Sequence, residues 1–310
     1  MTSFSDPYAY HDAIHAAQVK AVFIGDGDFR ATLASVDLDG LTLQSGSENL
    51  PRTFAFLAPQ DQASIFFLAD EHQSPLQNNG AALSPGELVA FRPGTFNSQQ
   101  TAGPCDWASL ALAPDRLDEV FRAVTGRDPP SWPETHILRP PPSSWLRLMR
   151  LHATVMRLAR VAPQALSDAG IARGLQSGVE HALALCLDEA APVRTSLARG
   201  HHRMVVRRLE EAAEMAPDRP LYLSEVCAAI GVPERTLRVS CQEQLGMGPI
   251  RYLWLRRMNL AHRALRRADP ASTSVTAVAT DHGFWELGRF SVAYRKLYGR
   301  SPSATLQHRS

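Results

Sequence analysis

The C-terminal third of this 310-residue chain repeats itself, and that repeat limits the possible folds more than any other feature. Val226-Cys227, Gly231-Val232, Leu237, Cys241, Gly246 and Pro249 line up with Val278-Ala279, Gly283-Phe284, Phe290, Tyr294, Gly299 and Pro302. The offset is 52 residues as far as the first glycine and 53 from Leu237 and Phe290 onward, a one-residue insertion. Each copy predicts a short helix with an apolar residue followed by a small one, then a glycine suited to a helix C-terminus. A second helix follows, with apolar positions four apart that share one buried face. That is the pattern of a helix-turn-helix, whose second helix enters the DNA major groove. Between the copies runs GPIRYLWLRRMNLAHRALRRA. At about 100° per residue, Ile250, Trp254, Met258, Ala261 and Leu265 share one face, and Arg256, Arg263 and Arg267 the opposite one. This predicts one amphipathic connecting helix of roughly 18 residues and about 27 Å. Such a rod can hold two recognition helices about one DNA turn apart, near 34 Å, on one side of a duplex.

Charge separates this region from the rest. Residues 1–200 carry 15 basic and 21 acidic side chains, a balance of −6, whereas residues 201–310 carry 17 and 10, a balance of +7. A basic third on an acidic body suits one part meeting a polyanion while the other does not. Hydrophobic residues at 45% and charged residues at 20% describe a globular chain rather than a disordered one. No apolar run reaches the roughly 18 residues of a membrane span. The start, MTSFSDPYAYHDAIH, lacks a basic stretch followed by an apolar one, so no secretory signal is expected. Cys105, Cys186, Cys227 and Cys241 form no C-x-x-C pair. Free thiols and a cytoplasmic location are expected.

Residues 19–112 read as short strands: VKAVFIG, FRATLASVDL, TFAFLA, ASIFFLA, ELVAFRP and WASLALA. GDGD, DLDG, SGSENLP, NNG, SPGE, RPGT and AGPCD punctuate them. This spacing suits a β-sandwich or barrel. LDEVFRAVTG reads as a short helix, and DPPSWPE and RPPPSSW as proline-rich connectors. From Ser143 the period becomes helical, with Leu146, Met149, Leu151, Val155 and Leu158 on one segment and Ile171, Leu175, Val179, Ala182 and Leu183 on the next. These helices either close off the β-domain or form a dimer seam.

Residues 201–310 resemble the DNA-binding domain of the AraC/XylS transcriptional regulators. The resemblance rests on Leu223-Ser224-Glu225-Val226-Cys227, Arg235-Thr236-Leu237-Arg238, Gly246-Met247-Gly248-Pro249, Tyr252, Arg256-Arg257-Met258 and the stretch from Ser274 to Leu306. Cys241 stands where the family usually has Phe, and Val239 where Arg is common. The resemblance implies DNA-contacting roles for Arg235, Thr236 and Arg238 in the first recognition helix. In the second it implies them for Glu286, Gly288, Arg289 and Val292. Arginine suits this work because its fork pairs bidentately with guanine. Glu286 either caps its helix or accepts from cytosine, with the cap favoured, and Trp285 is expected to pack. Arg256, Arg257, Arg263 and Arg267 are expected on phosphates or on the solvated surface rather than on bases.

GAALSPGELVAFRPG and AGPCDWASLAL resemble the cupin-like sensor barrel that precedes this domain in many family members. The fold class expected is therefore α+β and multidomain. A cupin-like β-barrel spans 1–135, a helical cover or dimerisation segment 136–198, and an all-α DNA-binding domain of two helix-turn-helix units 199–310. Phe54, Phe56, Phe66, Phe91 and Trp107 either line an effector pocket or form core. The cupin metal pattern is absent, because His72 and His136 stand alone and His11 and His15 precede the barrel, so neither metal nor other cofactor is expected. Nothing resembles a nucleophile elbow or phosphate loop, and GDGD reads as a turn. The expected function is an effector-responsive transcriptional regulator and not an enzyme. Its partners would be double-stranded promoter DNA, a small-molecule effector, a second copy of the chain and RNA polymerase. A ligand-independent regulator whose barrel serves assembly or protein docking is the first rival. An enzyme on a cupin scaffold is the second.

Overall fold

A computed structural model describes residues 1–14, 20–24, 27–130, 135–193, 197–216 and 219–307. His15, part of the GDGD turn and part of the DPPSWPE connector lie outside the described residues. The strands are β1 Thr2–Phe4, β2 Lys20–Phe23, β3 Ala31–Leu38, β4 Leu41–Glu48, β5 Arg52–Leu57, β6 Ala63–Leu68, β7 Leu76–Asn78, β8 Ala81–Leu83, β9 Leu88–Phe91, β10 Phe96–Gln100, β11 Cys105–Leu112, β12 His136–Arg139 and β13 Ala191–Pro192. The helices are α1 Pro7–Ala13, α2 Pro114–Thr125, α3 Pro142–Val161, α4 Ala169–Glu189, α5 Leu197–Glu214, α6 Leu223–Ile230, α7 Glu234–Leu245, α8 Pro249–Arg267, α9 Val275–Asp281, α10 Leu287–Tyr298 and α11 Pro302–Gln307.

The strands form two antiparallel sheets, ordered β1-β3-β4-β11-β6-β9-β12-β13 and β2-β5-β10-β7-β8. Both are open, and no closed barrel forms among the described residues. The larger sheet ends on β13, a two-residue edge strand containing Pro192, which has no N–H to offer a further neighbour. Two hairpins turn on the dipeptides that punctuate the sequence. Asp39-Gly40 joins β3 to β4 with φ of 49° and 84°, and Asn79-Gly80 joins β7 to β8 with φ of 50° and 73°. A positive φ at both central residues is what a two-residue turn of the favoured hand requires.

The larger sheet is buried on both faces. Along β6, Ile65 and Phe67 face a core built with α2, α3 and α4, while Phe66 and Leu68 face the smaller sheet. Strand β9 divides the same way, Leu88 and Ala90 against Val89 and Phe91. Double burial is why these strands read as continuous apolar runs rather than alternating ones. Leu148 and Val155 of α3 and Val179, Leu183 and Leu187 of α4 pack on this sheet, so the two long helices cover the β-domain. No helix among the described residues is long and apolar enough to cross a membrane.

The helical domain has two cores, one around α5–α8 and one around α8–α11. The first also takes in Val22, Ile24 and Phe96 from the smaller sheet and its flank. Ser98 Oγ donates to Gln244 Oε1 at 2.9 Å, and Thr53 Oγ1 donates to the Leu245 carbonyl at 3.1 Å. A second joint lies at the N-terminus. Asp6 caps α1 and pairs with Arg266, the Tyr8 hydroxyl donates to Asn259, and the Arg263 guanidinium sits 5.1 Å from the Tyr8 ring centre.

Candidate functional site

The repeat becomes two helix pairs, α6–α7 and α9–α10. Gly231 and Gly299 close α6 and α10 in the left-handed region with φ of 71° at each, and Gly283 follows α9 with φ of 73°. Gly283 is also needed for space, since a Cβ there would lie 2.7 Å from Pro220 and 3.0 Å from Arg257. Ser274 caps α9 by accepting from the Ala277 N–H at 3.1 Å. Leu237, Cys241, Phe290 and Tyr294 are buried at the predicted repeat positions. Of the two small residues before the glycines, Ala279 is buried and Cys227 half-buried. All four cysteines are free thiols. Burial pushes the thiols of Cys105, Cys186 and Cys241 up to about 12.

The second helices leave one face open. On α7, Arg235 and Arg238 are exposed and Thr236 half-buried. Glu234, one turn before Arg238, accepts from its Nε at 2.7 Å. At α10, Glu286, Gly288, Arg289 and Val292 are exposed. Glu286 occupies the N-cap position, but its side chain makes no cap hydrogen bond and instead pairs with Arg289 at 2.9 Å, contrary to the capping role expected for it. Trp285 is 72% exposed, so the packing role expected for it is also corrected; its neighbour Phe284 fills the core position. Both ion pairs are solvated, so parting them for DNA costs little.

The connecting helix divides its arginines differently from the sequence expectation. Arg256 is turned inward, its Nη1 donating to the Ala213 carbonyl at 3.1 Å and its Nε lying 3.7 Å from Glu210. Arg263 is covered by Tyr8, and Arg267 is exposed. Ile250, placed on the apolar face by its spacing, is 59% exposed. The reason is that α8 has no single buried face. It lies between both helix pairs and the N-terminal segment, and Tyr252, Leu253, Leu255, Met258, Asn259, Ala261, His262 and Leu265 are all buried. His262 stacks on Tyr298 with ring centres 4.1 Å apart and hydrogen-bonds the Tyr294 hydroxyl at 2.6 Å. Burial drives its imidazole down to about 3.

A separate feature lies between the two sheets. Phe54, Phe56, Phe66, Phe91 and Trp107, the five aromatics singled out in the sequence, all line one cavity of about 90 Å³. Phe56 and Phe91 meet edge to face at 5.2 Å, and Phe66 stacks on Trp107 at 5.9 Å. Trp107 Nε1 donates to the Tyr10 hydroxyl at 2.9 Å. Gly46 lies opposite Trp107 in the β4–β11 register, and a Cβ there would come within 2.4 Å of the indole. Sequence reasoning missed the most polar wall, Arg52. It is 1% exposed, and its Nε donates to Glu48 Oε1 at 2.5 Å. An arginine heading the run RTFAFL reads as an edge residue, so only tertiary packing reveals its burial. Burial pushes the Glu48 carboxyl up, and the adjacent Arg52 pulls it part of the way back. Among the described residues, no three His, Cys, Asp or Glu side chains converge as a metal site.

Comparison with known proteins bears on the helical third. Residues 226–308 match a family described as a helix-turn-helix domain. The probable thc operon regulatory protein of Rhodococcus erythropolis is 37% identical over 134 residues, 43% of this chain and 38% of that protein. The XylDLEGF operon transcriptional activator 2 of Pseudomonas putida is 30% identical over 102 residues, 33% of this chain and 62% of that protein. The solved structure of a probable AraC family transcriptional regulator from Rhodopseudomonas palustris is 35% identical, covering 34% of this chain and 95% of that one at a TM-score of 0.31. The chain thus spans less than two thirds of the length of these curated relatives. Residues 226–308 thus form a helix-turn-helix domain, and through this C-terminal third the chain is similar to transcriptional regulators of the AraC/XylS kind.

Proposed function

We propose that this chain regulates transcription by reading promoter DNA with α7 and α10. The observation that carries the reading is the pair of open second-helix faces, placed at equivalent repeat positions and held by one continuous helix, α8. Arg235, Thr236 and Arg238 would contact one DNA segment, and Glu286, Gly288, Arg289 and Val292 another. Trp285 joins the second set, because an exposed indole on this face offers an apolar surface to a thymine methyl. Arg267 is the free phosphate contact of α8, while Arg256 and Arg263 would first have to leave Glu210 and Tyr8.

The domain reading that goes with it places a cupin-like sensor over 1–135, its helical cover over 136–198 and the DNA-binding domain over 199–310. Two facing sheets around an aromatic-lined cavity support the sensor reading and a small-molecule effector there. A second copy of the chain and RNA polymerase are the further partners it implies.

The test is selection of binding sites from randomised duplexes with the full chain, Arg238→Ala and Arg289→Ala. Each substitution is expected to cost about 1–3 kcal/mol and to relax base preference in its own half-site alone. If both blurred the same base pairs, the reading of two grooves by one chain would be wrong.

A further inference from the structure

We infer that the N-terminal domain is a splint for the two helix-turn-helix units of its own chain. It seats α7 and α10 at the same repeat position, with Gln100 and Asp28 as the positioning residues, and so sets the spacing of half-sites that the chain accepts. This rests on the reading of α7 and α10 as the DNA-reading helices given above.

Gly246 ends α7 and Gly299 ends α10, both in the left-handed region, with φ of 70° and 71°. The repeat aligns these two glycines. Each is also pressed against the N-terminal domain, a close backbone approach that suits glycine. A Cβ on Gly246 would collide with the side-chain oxygen of Gln100 in β10. One on Gly299 would lie 2.9 Å from Asp28 Oδ1, in the segment between β2 and β3. The seat of α7 includes hydrogen bonds. The last carbonyls of a helix have no partner within it. Gln100 Nε2 donates to the Glu243 carbonyl at 3.4 Å, and Thr53 Oγ1 to the Leu245 carbonyl at 3.1 Å. Thr53 and Gln100 are register partners on β5 and β10, so both reach α7 from one face of the smaller sheet. The two seats stand on one framework. Asn49, between β4 and β5, accepts from the Arg30 N–H at 2.8 Å and donates to the Asp28 carbonyl at 2.9 Å. That ties the Asp28 segment to the start of β5, the strand paired with β10.

Seating and reading use opposite ends of the same helices. Arg235 and Arg238 stand in the first half of α7, and Gly288 and Arg289 in the first half of α10, all exposed. Each helix has 12 residues and is about 18 Å long, and its glycine lies at the far end. Contact with the N-terminal domain therefore leaves the DNA-facing ends free. Without the seats, α8 alone joins the units. A single rod fixes the distance between them but leaves their twist about its axis to side-chain packing. A second bridge, through the N-terminal domain, removes that twist. One added base pair moves a half-site by about 3.4 Å and turns it by about 35°, a change that a splinted pair cannot follow.

The experiment joins the half-sites that the full chain selects from randomised duplexes through spacers one and two base pairs shorter and longer. Binding of the full wild-type chain, Gln100→Ala, Asp28→Ala and the double variant is then titrated, beside duplexes carrying one half-site. The wild type is expected to favour its own spacing about tenfold over a change of one base pair, as loss of one bidentate base contact would produce. In the double variant this preference should shrink to about twofold or less, as expected once the two units can twist independently. Its affinity and base preference on a single half-site should stay as in the wild type. Undiminished discrimination in the double variant would mean that α8 sets the spacing by itself, and would overturn the splint while the DNA reading stands. Loss of single half-site binding in that variant would overturn it as well, because the two residues would then hold the helices folded rather than spaced. A wild type that binds every spacer alike would overturn the splint alone. A wild type that binds no duplex would remove both the splint and the reading of α7 and α10.

Discussion

Phe284 and Trp285 are neighbours with opposite tasks. Phe284 is 8% exposed in the second helical core, whereas Trp285 and Val292 stand 72% and 73% exposed on the open face of α10. Trp285→Ala should therefore change stability by less than about 0.5 kcal/mol, as surface substitutions do. It should still weaken DNA binding and relax a preference for thymine at one position. Thermal denaturation run beside a binding-site selection checks both halves, and an unaltered base preference would remove Trp285 from the interface. The arginines of α8 separate by the same criterion. Arg256→Ala strips a partner from the buried Glu210 and should cost about 1–3 kcal/mol of stability. Arg267→Ala should leave stability alone and reduce the salt dependence of DNA binding by about one counterion. Denaturant titration and salt-dependent DNA titration of the two variants distinguish these outcomes.

At the scale of elements, α8 behaves as a core helix with two ends to hold. Burial among Tyr8, Tyr294 and Tyr298 keeps its His262 neutral and pushes the imidazole down to about 3. Burial of His152 of α3 against the larger sheet, only partly offset by its hydrogen bond to the Gln44 carbonyl at 3.1 Å, pushes that imidazole down to about 4. Both folded values lie below the ordinary imidazole value, so between them and roughly pH 6.5 the unfolded chain binds more protons. These two side chains therefore lend stability that is fully present above about pH 6.5 and is lost as the pH falls toward 4 and then 3. Thermal melts from pH 7 to pH 4 should show a falling midpoint. The fall should be smaller in His152→Gln than in the parent chain, whatever the starting stability of that variant. An equal fall would mean that His152 is not held neutral.

Over the whole molecule, the smaller sheet and the first helix pair share one core, with Phe96 of β10 packed against the cluster that contains Val206, Leu209 and Leu245. The chain should consequently unfold in one transition, reported alike by helix content and by loss of DNA binding. Phe96→Ala should lower the midpoint for both signals, by roughly 2 kcal/mol or more for a partly buried ring. Two separated transitions would mean that the shared core does not couple the domains. The helix pairs and the turns at Asp39-Gly40 and Asn79-Gly80 were legible from residue order alone, whereas for the aromatics Phe54, Phe56, Phe66, Phe91 and Trp107 residue order left pocket wall and core as alternatives. The legible features depend on local chemistry: glycine at a positive φ and apolar positions four apart. What residue order could not show is which side of a residue meets the rest of the chain. Trp285 and Phe284 have similar hydrophobicity, Arg52 and Arg267 the same charge, and Glu286 is suited to either a cap or an ion pair. Only the meeting of distant segments decided among these. Glu48 set against Arg52, Tyr8 laid over Arg263, and α8 packed between the helix pairs and the N-terminal segment are contacts between parts of the chain that local spacing does not relate, and burial energy accrues only once those parts have come together.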